Sequence, residues 1–61
     1  MKAIRRWDNI HVENNGEFKT FPMVSKNHME DLINLVGKQV VDILKFTVGK
    51  YVDCRTLEVE E

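Results

Sequence analysis

The residues that could carry catalytic chemistry are few in this chain of 61 residues. A thiolate–imidazole pair would need Cys54 beside His11 or His28, yet these residues lie far apart and no motif brings them together. A closed zinc site takes four Cys or His ligands, and these three residues are the whole supply. We therefore expect no enzyme activity unless a site forms between subunits, no bound metal and no cofactor. Cys54 is read as a half-buried strand residue.

Basic residues near the start of the chain offer a different chemistry, the recognition of phosphates. Lys2, Arg5 and Arg6 precede Trp7 without an intervening acid, and His11 follows. A basic and aromatic β-ribbon can enter a DNA groove or stack on single-stranded bases. The alternative function is therefore a small nucleic-acid-binding transcriptional regulator that uses Lys2, Arg5 and Arg6.

Acidic residues dominate the end of the chain. Glu58, Glu60 and Glu61 follow the last basic residue, and the formal net charge of the whole chain is −1. Carboxylates near the basic ribbon would repel phosphates, which disfavours nucleic-acid binding. The same acids could instead steer the encounter with a basic protein partner.

A β-hairpin is the clearest local structure in the sequence. Asn15-Gly16 suits the positive φ angles of a tight hairpin turn, and the resulting register sets Ile10 opposite Phe21. A three-residue loop, Asn14–Gly16, would shift this pairing by one residue. Strand 2 is expected to be peripheral because it contains Pro22, which lacks an amide donor.

The hairpin register divides the large apolar residues between two faces. Ile10 and Phe21 share one face, while Trp7 and Phe18 fall on the other. A bulge around Asp8-Asn9 would instead turn Trp7 onto the core face, since one extra residue reverses the alternation. The sequence leaves both placements of Trp7 open.

A helix is predicted after the hairpin. Apolar residues recur at three- and four-residue spacing from a start at Ser25 or Asn27 to about Thr47. Gly37 interrupts this pattern at a cost of roughly 1 kcal/mol relative to Ala. The alternative is a helix that ends at Gly37 and is followed by a strand over Val40–Val48. We favour one long helix.

The last segment, Lys50–Glu60, is rich in β-favouring residues and is read as a third strand. Laid antiparallel beside strand 1, it brings Glu58 and Glu60 near Arg5 and Lys2. The predicted fold is a single α+β domain of residues 1–61, a ββαβ unit with a three-stranded sheet of order 2-1-3 packed on one long helix. Whether strand 3 pairs within its own chain or with a neighbour stays open.

A domain this short has too little interior to be very stable and has no second cysteine for a disulfide. Leu35 and Phe46 also broaden the apolar arc of the helix beyond what one sheet needs. We therefore expect contact with another chain, most simply in a homodimer or a higher homo-oligomer.

The function that fits these observations is a non-catalytic, self-associating module that binds another protein as an inhibitor or adaptor, a class that includes viral proteins directed at host machinery. No run of about 18 apolar residues and no signal-peptide pattern occurs, so we expect a cytoplasmic protein without membrane contact. The predicted protein-binding residues are Trp7, Phe18, Leu35, Phe46, Glu58 and Glu60.

Overall fold

The first 22 residues form an antiparallel meander, and the chain that follows supplies two helices and one more strand. The computed structural model describes residues 1–60 and contains β1 (Lys2–Arg6), β2 (Asn9–Asn14), β3 (Glu17–Pro22), α1 (Lys26–Val36), α2 (Lys38–Phe46) and β4 (Tyr51–Asp53). The strands form one sheet of order β3-β2-β1-β4. The α+β class is confirmed, but the predicted three-stranded sheet and single long helix are wrong in detail.

The predicted first strand is two strands joined by a tight turn at Trp7-Asp8. Arg6 pairs with Asn9 across this turn, and Trp7 has a φ of 53°. The N–H of Met23, just past β3, donates to the carbonyl of Asp8 at 2.6 Å. Of the two placements that the sequence left open for Trp7, the structure shows the outward one: a turn at Trp7-Asp8, and not a bulge, changes the alternation.

The predicted hairpin register is confirmed. Ile10 pairs with Phe21 and Val12 pairs with Lys19. The turn residues Asn15-Gly16 both have positive φ, at 53° and 82°, as expected of an Asn-Gly hairpin turn.

Gly37 divides the predicted long helix into two. Its φ of 95° and ψ of 152° are not helical. Its N–H still donates to Ile33 at 2.9 Å, and its carbonyl accepts from Val41 at 3.3 Å, so Gly37 ends α1 and begins α2. The N-cap of α1 is Ser25, whose hydroxyl accepts from the N–H of His28 at 3.4 Å.

The break at Gly37 lets the helices spread over the sheet. Helix α1 packs on β3, whereas α2 packs on β1 and β4. The apolar stripe continues across the break, with Leu32 and Val36 buried on α1 and Val40 and Leu44 buried on α2. The helical pattern was therefore correct for both segments, and the break at Gly37 separates the helix that packs on β3 from the helix that packs on β1 and β4.

The predicted third strand is much shorter than Lys50–Glu60. After β4 the chain turns back, so that Val59 forms a bridge with Val52. The Oδ1 of Asp53 drives the reversal by accepting the N–H groups of Arg55 at 2.8 Å and Thr56 at 3.3 Å. Pairing of this segment with β1 is antiparallel, as predicted, and occurs within the chain.

The core lies between the sheet and the two helices. Each strand contributes side chains from one face only, as the two-residue period of a strand requires. The buried apolar cluster consists of Ala3, Ile10, Val12, Phe21, Leu32, Val36, Val40, Val41, Leu44 and Val52.

Candidate protein-binding surface

One end of the domain presents large apolar side chains to solvent. Trp7 in the β1–β2 turn is 84% exposed, and Phe46, the last residue of α2, is 90% exposed. Val24, just after β3, and Val48, just after α2, are exposed as well. We call Trp7, Val24, Phe46 and Val48 the end patch.

Backbone hydrogen bonds bring the segments of the end patch to the same end of the molecule. The contact between Asp8 and Met23 holds the first turn against the chain that leads into Val24. The N–H of Gly49, next to Val48, donates to the carbonyl of Arg5 at 2.8 Å. The end patch is therefore built from segments that are distant in sequence and fixed by main-chain contacts.

The half-buried side chain of Arg5 joins the first turn to α2. Its Nε donates to the carbonyl of Trp7 at 2.9 Å. Its Nη1 donates to the carbonyl of Lys45 at 2.8 Å and, at 3.4 Å, to that of Leu44. A guanidinium at the C-terminal end of a helix satisfies carbonyls that lack helical partners and complements the helix dipole. Arg5 thus has a structural role beneath the end patch.

The sheet face opposite the helices carries a second apolar surface. Phe18 on β3 is 67% exposed, while Ile4 on β1, which lies on the same face, is only 6% exposed although no helix covers that face. His11, Arg6 and Tyr51 complete a shallow groove of about 270 Å³. We call this groove the open-face groove. Neither Ile4 nor Tyr51 was predicted to belong to a site.

Phe18 and Leu35 lie on different sides of β3. Leu35 is half-buried, packs against the core and borders a groove of about 420 Å³ that lies between β3 and α1 and is also lined by Lys19, Phe21 and Asp31. The wide apolar arc of the predicted helix was expected to contact another chain. At Leu35 the chain itself covers part of this arc, whereas Phe46 is exposed to solvent.

The acidic tail folds back on the start of the chain. The Oε1 of Glu60 lies 2.6 Å from the Nζ of Lys2, and the hydrogen bond and charge of Glu60 raise the pKa of the Lys2 ammonium. Glu58 is exposed, and its carbonyl accepts from the N–H of Asp53 at 2.9 Å. Glu61 lies outside the described residues.

The basic residues do not form one shared surface. Lys2 is paired with Glu60, and Arg5 donates to backbone carbonyls. Arg6, on the other hand, is exposed and lines the open-face groove. Of the three cations proposed for phosphate recognition, two are engaged within the chain.

The residues with catalytic potential make local contacts. The Nδ1 of His11 lies 3.0 Å from the hydroxyl of Thr20, and that of His28 lies 2.7 Å from the hydroxyl of Ser25. Burial raises the pKa of the Cys54 thiol, which disfavours the reactive thiolate. Among residues 1–60, no group of three or more His, Cys, Asp or Glu side chains is placed to hold a metal ion.

Two members of the end patch, Val24 and Val48, were absent from the predicted binding residues. Val48 was the less predictable of the two. It follows Thr47 in a stretch that was treated as the end of the helix, and a single valine in a loop carries no periodic signal.

None of the helices in residues 1–60 has the length and apolar character needed to cross a membrane. No family model, curated protein or solved structure matches the chain.

Proposed function

We propose that this protein is a non-catalytic, self-associating module that binds another protein through the end patch, acting as an inhibitor or adaptor. The observation that carries the proposal is the exposure of Trp7 and Phe46 at one end of a small domain. Large aromatic side chains each bury about 150–250 Å² when covered and are enriched at protein interfaces. Together with Val24 and Val48, they provide several hundred Å² of apolar surface, a size associated with interaction sites.

The scaffold beneath the end patch favours binding because it limits the loss of entropy on association. Arg5 fixes both the backbone of the turn that carries Trp7 and the end of the helix that carries Phe46. Glu58 adds negative charge elsewhere on the surface and would speed the encounter with a basic partner. The Glu60 carboxylate is largely neutralised by Lys2 and would contribute less.

Replacing Trp7 and Phe46 together by Ser tests the proposal. Partner proteins captured by the wild type are identified, and their affinity is then measured for each variant. We expect the double variant to bind the same partner at least about tenfold more weakly, since interface aromatics often contribute 2 kcal/mol or more. The control, Glu30→Ser with Lys38→Ser, removes two exposed helix side chains that are not next to an end-patch residue in the sequence, and it should bind like the wild type.

Circular dichroism and urea unfolding are used to check that both double variants remain folded. Equal affinity of a folded Trp7→Ser/Phe46→Ser variant would place the binding site elsewhere. Nucleic-acid binding is the alternative, and it is tested by titrating labelled duplex DNA and single-stranded RNA at about 50 mM salt. Tight binding that falls steeply with added salt and is lost in Arg6→Ala would favour the alternative.

A further inference from the structure

The open edge of the sheet lies along β3. The sheet order places β3 at one end, and within residues 1–60 its only strand neighbour is β2. Its first four residues, 17–20, are all exposed. An edge strand with free main-chain groups is a template for pairing with another strand.

The tight turn fixes which groups of β3 point outward. A two-residue turn makes its flanking residues, Asn14 and Glu17, a hydrogen-bonded pair, and such pairs alternate with non-bonded ones along an antiparallel ladder. Lys19 and Phe21 therefore bond to β2. The N–H and carbonyl groups of Phe18 and Thr20 point away from the sheet and are available to a further strand.

The segment Glu17-Phe18-Lys19 is complementary to itself when one copy is reversed. We propose that two copies of this protein pair antiparallel through β3, with Phe18 opposite Phe18 of the second copy. This register sets Glu17 of each copy opposite Lys19 of the other, giving two ion pairs about the two-fold axis. Opposite charges across a strand pair are favourable, and facing aromatic rings add to the contact.

Other symmetric registers are less favourable. A two-fold axis at Lys19 sets two ammonium groups directly opposite each other, which is destabilising. An axis at Thr20 sets Phe18 opposite Pro22, which has no N–H to donate. Charge and backbone chemistry together therefore select the register centred on Phe18.

The two faces of the joined sheet would both gain contacts. Phe18 lies on the face opposite the helices, where the two rings would extend the open-face grooves of the two copies. Glu17 and Lys19 lie on the helix side, and Lys19 borders the groove that contains Leu35 and Asp31. A charge on the helix side of an edge strand discourages pairing with unmatched strands, so Lys19 would favour a second copy over arbitrary β-strands.

This inference rests on the self-association in the proposed function, and a charge exchange tests it. Sedimentation equilibrium measures the dimer dissociation constant of the wild type and of Glu17→Lys, Lys19→Glu and the double exchange Glu17→Lys/Lys19→Glu. We expect each single variant to dimerise about tenfold or more weakly, because both ion pairs become repulsive. The double exchange should restore dimerisation, and a mixture of the two single variants should form the heterodimer.

Other outcomes separate this interface from the general proposal. A wild-type dimer whose dissociation constant is unchanged in both single variants would overturn the β3 interface, whereas self-association and partner binding through the end patch would both stand. A wild type that stays monomeric to millimolar concentration would overturn self-pairing, yet partner binding through the end patch would stand. Loss of dimerisation in all variants, including the double exchange, would also contradict the proposed register.

Discussion

The two tight turns of the meander use the same left-handed backbone with very different residues. The β2–β3 turn places Asn15 at a φ of 53°, while the β1–β2 turn places Trp7 at the same angle. Asn tolerates this region, whereas for a bulky residue the left-handed conformation costs roughly 1–2 kcal/mol. The β2–β3 turn, the second along the chain, is therefore favoured by its own sequence. The β1–β2 turn, the first along the chain, must be stabilised by contacts from elsewhere.

Those contacts come from Arg5 and from Met23, whose N–H bonds to the carbonyl of Asp8. Backbone strain in folded proteins persists where the surroundings over-determine it and is concentrated at functional sites. The strained residue here is also one of the most exposed aromatics of the chain. The comparison supports the proposal that Trp7 occupies the turn for its surface role and not for stability.

The largest expected effect follows from removing the support of the first turn. Arg5→Ala should lower the free energy of unfolding by about 2 kcal/mol, since charge-assisted hydrogen bonds to the carbonyls of Trp7 and Lys45 are lost. Urea denaturation followed by circular dichroism measures the change. For a domain of this size, about 2 kcal/mol is a large part of the total stability.

The matched control is Arg6→Ala, which removes an adjacent and exposed guanidinium. We expect its free energy of unfolding to stay within about 0.5 kcal/mol of that of the wild type. Equal midpoints for the two alanine variants would show that the first turn does not depend on Arg5.

A smaller effect of opposite sign is expected at Trp7. Trp7→Gly relieves the left-handed strain and should raise the free energy of unfolding by about 1 kcal/mol, while it removes most of the apolar surface of the turn. Thermal unfolding measures the stability, and affinity for the captured partner measures the function. A more stable variant that binds more weakly would separate the two roles.

The corresponding change in the second turn is Gly16→Ala. The φ of 82° at Gly16 is strained for any residue with a Cβ, even though a Cβ there would meet no other atom within 4 Å. This variant should lose about 1 kcal/mol. If both substitutions changed stability in the same direction, the contrast between the two turns would be wrong.

The smallest effect concerns a third turn, which follows β4 and is closed by a charged side chain. Hydrogen bonds from the N–H groups of Arg55 and Thr56 lower the pKa of Asp53 below its usual range. A lowered folded pKa means that this contribution is complete above the unfolded value and is lost as the pH falls below about 4 through the folded pKa. We expect a modest drop in the unfolding temperature between pH 5 and pH 2.

Asp53→Asn keeps an oxygen acceptor at the same position but does not ionise. Its unfolding temperature should therefore depend less on acid pH than that of the wild type. Parallel pH profiles for the two proteins would mean that Asp53 contributes nothing measurable to the closure of this turn.

The β2–β3 hairpin was predictable because its information is local. Asn15-Gly16 and the alternating residues beside it fix the turn and the register together. The Trp7-Asp8 turn was missed because Trp carries no turn signal, and the contacts that hold it come from Arg5 and from the chain beyond β3.

The candidate site was predictable in part. Trp7, Phe18 and Phe46 were selected as apolar residues left over by the core pattern, and the structure places all three at the surface. Leu35 was selected in the same way but is half-buried. Sequence periodicity shows which face of a helix is apolar, but it does not show how far the neighbouring strand extends beneath that face.

The sequence alone determined the α+β class, the Asn15-Gly16 hairpin and the helical stripe, since each depends on residues close together in the chain. Tertiary structure decided the break at Gly37, because the helical pattern of apolar residues fits one straight helix and two helices equally well. It also decided where Arg5 bonds and which exposed residues come together in the end patch. The bonds of Arg5 and the end patch depend on contacts between segments distant in sequence, such as Met23 with Asp8 and Arg5 with Lys45, and short-range patterns hold no information about such contacts.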